Sequence, residues 1–177
     1  IFGLALGLAA SMLILIYVQY ERGYDSHNEK LDRIYRVSLI ASMGGNDVAV
    51  AATPYPMAAT LVNEFPEVET AARFRRFFSE TLVSKDEIAY QESEIFHADP
   101  QFFDIFTFDF LAGDPTTALS EPNSIVVTCE IAEKYFGNDN ALGEILRFNN
   151  NRDYEITGVV EEVPPNAHFH PDIMVSF

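Results

Sequence analysis

The stretch IFGLALGLAASMLILIYV, residues Ile1 to Val18, contains no charged residue, and the first charge after it is Glu21. As a helix such a run rises roughly 27–30 Å, the thickness of a bilayer's hydrocarbon core. Tyr17, Tyr20 and Tyr24 gather at its end, where interfacial aromatics are expected. Gly3, Gly7 and Ser11 fall four apart and set small residues on one face, which lets a second helix approach closely. Residues 1–20 therefore read as a transmembrane helix packed in a bundle of spans. A cleavable signal peptide would have a shorter apolar run ending at small residues. Here Ala9, Ala10 and Ser11 lie mid-run and Met12–Val18 continues apolar beyond them. A buried helix of a soluble protein is the other alternative. Ile in place of Met at the first position points to a start inside a longer chain.

Beyond the helix, Arg22, Lys30, Arg33 and Arg36 lean cytoplasmic under the positive-inside rule. The opposite flank is needed for that comparison, and large domains cross largely regardless of charge. Residue chemistry alone leaves the side open. The rest of the 177 residues suffices for one globular domain with its own core. With 48% hydrophobic and 21% charged residues it is globular, not disordered. Eleven Lys and Arg stand against 27 acids, a net charge of −16, which argues against nucleic acid and anionic headgroups as partners of the domain. Cys129 is the only cysteine, so neither an internal disulfide nor a cysteine zinc site can form.

Ser26 and Glu29 have capping-box spacing, predicting a short helix from about His27 to Arg33. Tyr35, Val37 and Leu39 alternate with Arg36 and Ser38, predicting a strand over Ile34–Ala41. Gly44, Gly45, Asn46 and Asp47 form a turn into a returning strand, Val48–Ala52. Pro54 and Pro56 introduce a helix carrying Met57, Leu61 and Val62, closed before Pro66. Arg73–Phe78, Thr81–Ser84, Ile88–Gln91 and Ile95–Ala98 are short strands. The density of Phe102, Phe103, Phe106, Phe108 and Phe110 marks core packing, since a base-stacking platform would need basic neighbours. Ser124–Val127 is a strand, Thr128 caps a helix through Tyr135, and Gly137 suits its C-terminus. Leu146–Phe148 and Tyr154–Val160 form a hairpin around Asn149, Asn150 and Asn151. Pro164 and Pro165 break the last strand, and Ile173–Phe177 opens another that is cut short. Strands with short intervening helices give an α+β domain with mixed sheets, occupying residues 21–177.

The strongest catalytic pattern is His168-Phe169-His170-Pro171-Asp172. Two imidazoles two apart on a strand share a face and could hold a metal with a carboxylate, giving a membrane-anchored metal-dependent hydrolase. Against this, Pro171 interrupts such a strand, and the remaining histidines, His27 and His97, form no second cluster. A polar turn after Pro164-Pro165-Asn166 is the competing reading. No Gly-rich stretch matches a nucleotide fingerprint, because Gly44-Gly45 precedes a turn and not a helix. Cys129 at a helix start could be an activated thiol, against the plainer reading of a small buried residue. No catalytic, cofactor-binding or metal residue is assigned, and no cofactor is expected.

The run Tyr24-Asp25-Ser26-His27-Asn28, followed by Asp32-Arg33-Ile34-Tyr35-Arg36-Val37 directly after a transmembrane helix, resembles the start of the MacB-like periplasmic core domain. That domain occurs in permease subunits of FtsX/MacB-class ABC transporters, especially the Bacteroidetes type. Phe65-Pro66-Glu67-Val68-Glu69, Ala98-Asp99-Pro100, Phe102-Phe103-Asp104-Ile105-Phe106 and Leu111-Ala112-Gly113-Asp114-Pro115 continue the likeness in order. So do Ala132-Glu133-Lys134-Tyr135-Phe136-Gly137, Leu142-Gly143, Thr157-Gly158-Val159-Val160 and Val163-Pro164-Pro165-Asn166-Ala167-His168-Phe169. The family more often has Ser at the position of Ala167 and Phe before the histidine at His27. The resemblance implies a non-catalytic permease subunit in the inner membrane, with its folded domain periplasmic. It also implies a partner ATP-binding subunit that hydrolyses ATP, and a second permease subunit in a dimer. A periplasmic adaptor or a transported substrate would be a further partner. The external domain would couple ATP-driven helix motion to periplasmic events such as efflux, and His168 would belong to a structural turn. A single-span extracytoplasmic sensor or binding domain is the remaining alternative.

Overall fold

The computed structural model describes residues 2–77 and 79–177, with the backbone alone at Met43. Ile1 of the apolar run and Phe78, the predicted end of a strand, lie outside the described residues. A single helix, α1 (Phe2–Arg22), takes up the apolar run, and all of its residues through Arg22 are exposed. It is long and apolar enough to cross a membrane. The space around Gly3 and Gly7 is open, and the Ser11 hydroxyl donates back to the Gly7 carbonyl at 2.9 Å.

The predicted helix near His27 is instead a series of turns ending in one 3-10 turn, Leu31–Arg33. The capping box does not form, because the Glu29 N–H donates to Thr107 Oγ1 at 3.0 Å, outside its own segment. Asp25 has φ 56, a left-handed conformation that ends helical propagation from α1. The next expectation is also corrected. Residues 34–38 are not strand; β1 is Leu39–Met43 and pairs with β2 (Asn46–Val50) around Gly44 (φ 61) and Gly45 (φ 85). That two-residue turn fixes Leu39 opposite Val50. The chain bends at Ala51, so nothing remains to pair with residues 34–38. An alternating pattern without a ladder partner leaves backbone groups to water, not to a strand.

After α2 (Met57–Glu64), the domain is built on β3 (Phe74–Arg76), β4 (Thr81–Lys85), β5 (Ile88–Glu92) and β6 (Ile95–Ala98). There follow α3 (Phe102–Ile105), β7 (Phe110–Gly113), β8 (Ser124–Thr128) and α4 (Cys129–Phe136). The last elements are β9 (Ile145–Phe148), β10 (Arg152–Val160) and β11 (Ile173–Ser176). They form one sheet in the order β3-β6-β11-β8-β10-β9-β4-β5, with β7 paired to the far half of β10. The sheet is mixed: β6 with β11 and β8 with β10 run parallel, the other pairs antiparallel. Strand β11 is not a frayed end. It lies between β6 and β8 with all four residues buried.

Chain connectivity forces this sheet to curl. Strands β3 and β4 stand six positions apart in the order, a span of about 29 Å if the sheet were flat. Residues 77–80 join them, and such a connector reaches only about 17 Å. The curl brings both ends of the sheet around one core, where Val83 and Phe148 meet Ile95, Ile125, Ile173 and Val175. Helix α4 lays Ile131 and Tyr135 on that core. Thr128 caps it by accepting from the Ile131 N–H at 3.4 Å, as its position after a strand predicts. The convex face carries a second core of Phe102, Ala118, Leu119, Val126, Val160 and Met174. Phe74, Phe103, Phe106, Phe108, Phe110 and Phe169 pack against it, so the phenylalanine-rich segment does serve the core.

Gly113 and Gly158 are register partners where β7 crosses β10. A Cβ on Gly158 would stand 2.8 Å from the Phe110 ring, and one on Gly113 would stand 2.4 Å from the Thr157 carbonyl oxygen. Only glycine lets the two strands and the aromatic ring approach this closely.

Candidate functional site

The end of α1 is bonded directly to the domain. The Gly23 N–H closes the helix on Gln19 and Tyr20, both at 3.1 Å. The Gly23 carbonyl, free of the helix, accepts from the side-chain amide of Asn166. Asn166 returns its own carbonyl to the Asp25 N–H at 3.0 Å. The Asp25 carboxylate then accepts from the backbone N–H of His168 at 2.9 Å, and its other oxygen pairs with His168 Nδ1. Around this polar clamp, Tyr24 stands edge-on to the His168 ring with centroids 4.8 Å apart, and Tyr20 stands edge-on to Tyr24 at 5.9 Å.

A second set of bonds holds the other side of the joint. The buried Asn28 amide donates to the Asp25 carbonyl at 3.1 Å, and its side-chain oxygen accepts from the Thr107 N–H at 3.0 Å. The Lys30 ammonium reaches the Asp104 carbonyl. The turn grasped by the helix, residues 164–168, lies between β10 and β11. Phe169, one residue on, lies against Phe74, Phe102 and Phe106 at 4.9, 6.0 and 5.0 Å between centroids. The helix end is thus bonded to the turn between two central strands and, one residue on through Phe169, to the aromatic core. Sequence reading missed Asp25 and Asn166 as partners, since they lie 143 and 141 positions from their contacts' own neighbourhood in a pattern without periodicity.

The His168, His170 and Asp172 group does not assemble. Residues 167–170 are not in a strand, so the shared face expected of alternate residues is absent there. His168 is turned to Asp25, His170 is exposed, and Phe169 between them is drawn into the core. Asp172 instead sits in an acidic neighbourhood. Burial first, then Glu92, Glu130 and Glu94, push its pKa up to about 6. Among the described residues, no three His, Cys, Asp or Glu side chains gather as a metal shell. Cys129 is half-buried against the inner core and donates to Glu162 at 3.2 Å. The neighbouring carboxylate and burial raise its pKa, the opposite of an activated thiol.

Buried Glu92 is held by Lys134 at 2.7 Å and by the Tyr135 hydroxyl at 2.7 Å. Burial and Glu92 both raise the Tyr135 pKa, so this hydroxyl stays protonated and acts as a donor. That cluster pins α4 to β5 and has the partners of a structural ion pair.

Comparison with protein families matches the MacB-like periplasmic core domain over residues 1–177. The chain belongs to that family. Among solved structures, a domain of a protein described as a permease from Porphyromonas gingivalis superposes with a TM-score of 0.63 at 24% identity, covering 74% of this chain and 55% of that one. The periplasmic region of MacB from Actinobacillus actinomycetemcomitans gives a TM-score of 0.54 at 14% identity, covering 88% and 67%. At these identities the likeness concerns the fold of the mixed, sheet-rich core. The chain spans about half the length of the Porphyromonas structure it matches. No curated protein matches the chain. For this MacB-like domain the joint acquires a simple reading: the two family-like runs that flank it, Tyr24–Asn28 and Val163–Phe169, are distant in sequence and meet in space.

Proposed function

We propose that the chain belongs to a permease subunit of an ABC-type transporter, with residues 1–20 as a membrane span and residues 21–177 outside the cytoplasmic membrane. The subunit has no catalysis of its own; ATP is hydrolysed by a partner ATP-binding protein, and two permease subunits work as a dimer. The domain converts displacement of α1 into displacement of the external sheet. One observation carries this reading: α1 passes into the domain through a hydrogen-bonded joint and not through a linker. A tilt or shift of a helix is transmitted only as far as the next compliant segment. Here the Asn166–Gly23, Asp25–Asn166 and Asp25–His168 bonds tie the first segment beyond the helix to the turn that joins β10 and β11. The open Gly3, Gly7 and Ser11 face supports packing against a neighbouring span.

Uncoupling the joint tests this. In membranes holding the permease dimer and its ATP-binding partner, spin labels on the two external domains report their separation on ATP addition. A four-residue Gly/Ser insertion between Gly23 and Tyr24 is expected to leave ATP hydrolysis in place and abolish the ATP-dependent change in separation. An unchanged response in the insertion variant overturns the proposal.

A further inference from the structure

The joint fixes a height as well as a connection. Val18 is the last of the uncharged run, and Glu21 and Arg22, the final residues of α1, carry charges that belong outside hydrocarbon. With α1 as a span, the edge of the hydrocarbon therefore falls near Val18, and Tyr17, Tyr20 and Tyr24 gather there as interfacial aromatics do. Tyr20 and Gly23 then stand about 3 and 7 Å beyond that edge along the helix. The polar layer of a bilayer is itself about 5–7 Å deep on each side. The Tyr20 hydroxyl reaches the Pro165 carbonyl at 3.5 Å, and the Gly23 carbonyl accepts from the Asn166 amide. Bonds to the helix thus hold residues 164–166 at headgroup depth, whatever else packs beside them.

The chemistry of this turn suits that layer. Pro164 and Pro165 are exposed, yet neither has an N–H to leave unmet. The Pro164 carbonyl accepts from the Ala167 N–H at 3.0 Å, and the Pro165 carbonyl is the one that Tyr20 reaches. An exposed loop ordinarily satisfies its backbone with water. Here the tip closes its own polar groups and presents two pyrrolidine rings, an arrangement that a layer poor in free water tolerates. Behind the tip, Asn166 and His168 face the helix end and are bonded to Gly23 and Asp25.

We infer that residues 164–166 form a membrane contact, with Pro164 and Pro165 entering the phospholipid headgroup layer on the side that holds the domain. This rests on the reading of α1 as a span under the proposed function. The partner is a zwitterionic headgroup layer and not an anionic surface, because Glu161 and Glu162 lie exposed just before the turn in a chain of net charge −16. The contact gives the joint a support on lipid as well as on the domain, so a shift of α1 along its axis moves the turn within the headgroup layer.

The test uses the 177-residue chain in phosphatidylcholine vesicles, with Cys129→Ala and single cysteines that carry a fluorophore. Pro164→Cys and Pro165→Cys probe the turn at two positions, with circular dichroism as the check on folding, and Gln19→Cys marks the edge of the span. A nitroxide on the lipid headgroup is expected to quench the two turn labels to within about twofold of the Gln19 label. Quenching by aqueous iodide should fall about threefold below that of the same fluorophore on glutathione. Turn labels that iodide reaches freely and the headgroup nitroxide does not overturn the inference, when an Ile14→Cys label is quenched from the acyl chains. Loss of acyl-chain quenching at Ile14 instead overturns the span, and the contact with it. Turn labels shielded from both quenchers mark cover by protein, a neighbouring span or a second copy, and reject the lipid contact.

Discussion

The two ends of β10 and β11 are built on opposite principles. At the joint, the polar groups that tie helix to domain are met: the Gly23 carbonyl, both Asp25 oxygens, the Asn166 amide and carbonyl, and the Asn28 side chain all have partners. At the opposite end, Arg75 and Arg152 stand exposed beside His97 and Tyr154, without an ion pair among the described residues. Satisfied polar groups resist rearrangement, because each broken bond exposes a desolvated partner. One end is therefore suited to carrying force, the other leaves two cations to solvent, and a nine-residue strand connects them.

The connection between the ends is tested most severely at Phe102. It is fully buried and touches Phe74, Phe106, Phe108 and Phe169, so it anchors the turn that the helix grips. Phe102→Ala is expected to cost about 3–5 kcal/mol in urea unfolding. It should also raise hydrogen exchange in residues 164–169 more than in residues 152–154, at the opposite end of β10. Equal loosening at both ends would show that the joint has no special dependence on the aromatic core.

A smaller effect is expected at the joint itself. Asp25→Ala removes the acceptor of the His168 N–H and the partner of its ring, and it places alanine at φ 56. The expected cost is about 2 kcal/mol, from lost charge-assisted bonds and left-handed strain. Asp25→Asn keeps an acceptor and a residue that tolerates this φ, so it should recover part of the loss. Exchange of the His168 amide is the direct readout. Protection surviving Asp25→Ala would mean that the turn is held by Asn166 alone.

The sheet's elements were largely legible in the sequence, and its closure was not. Strand Ile95–Ala98 has the predicted limits, and the β9–β10 hairpin forms around Asn149 and Asn150, both at positive φ. Helix α4 starts at its predicted cap because Thr128, its own residue, supplies the acceptor. Local chemistry decides these features. The phenylalanine-rich segment was legible as core, but the start of β7 at Phe110 was hidden in it, since aromatic density has no period. Residues 34–38 and 27–30 failed in the same way from opposite directions. One alternating run found no partner, and one capping box lost its N–H to Thr107, 78 residues away. The joint belongs to this second kind, since it is made by residues that only the completed sheet brings together.

Asp172 provides a smaller test between the two ends, because it lies at the start of β11 beside the acidic cluster. Its pKa rises from 3.8 in the unfolded chain to about 6 when folded. The folded domain therefore holds this proton longer. The group costs no stability below about pH 4, costs progressively more as pH rises to about 6, and costs its full amount above that. Solvent at the half-buried side chain reduces the amount to about 1 kcal/mol. Asp172→Asn should stabilise the domain by about that much at pH 7.5 and change little at pH 4, measured by urea unfolding at both values. A stabilisation of equal size at both would place its origin in packing and not in charge.

The smallest expected effect separates the two ends most cleanly. Arg75 and Arg152 are exposed and make no ion pair among the described residues, so the domain does not use their charge for its own stability. Arg75→Gln and Arg152→Gln should each shift unfolding by less than about 0.5 kcal/mol. Their combination should stay within the sum, because neither side chain depends on the other for a bond. The sign is informative as well. Two guanidiniums near the half-buried His97 repel any charge on its ring, so removing one should raise the pKa of that imidazole. An NMR titration of His97 would register this even where the stability change is too small to resolve. Should either substitution instead cost as much as Asp25→Ala, this end would be a structural element like the joint, and the contrast between the two ends of β10 would fail.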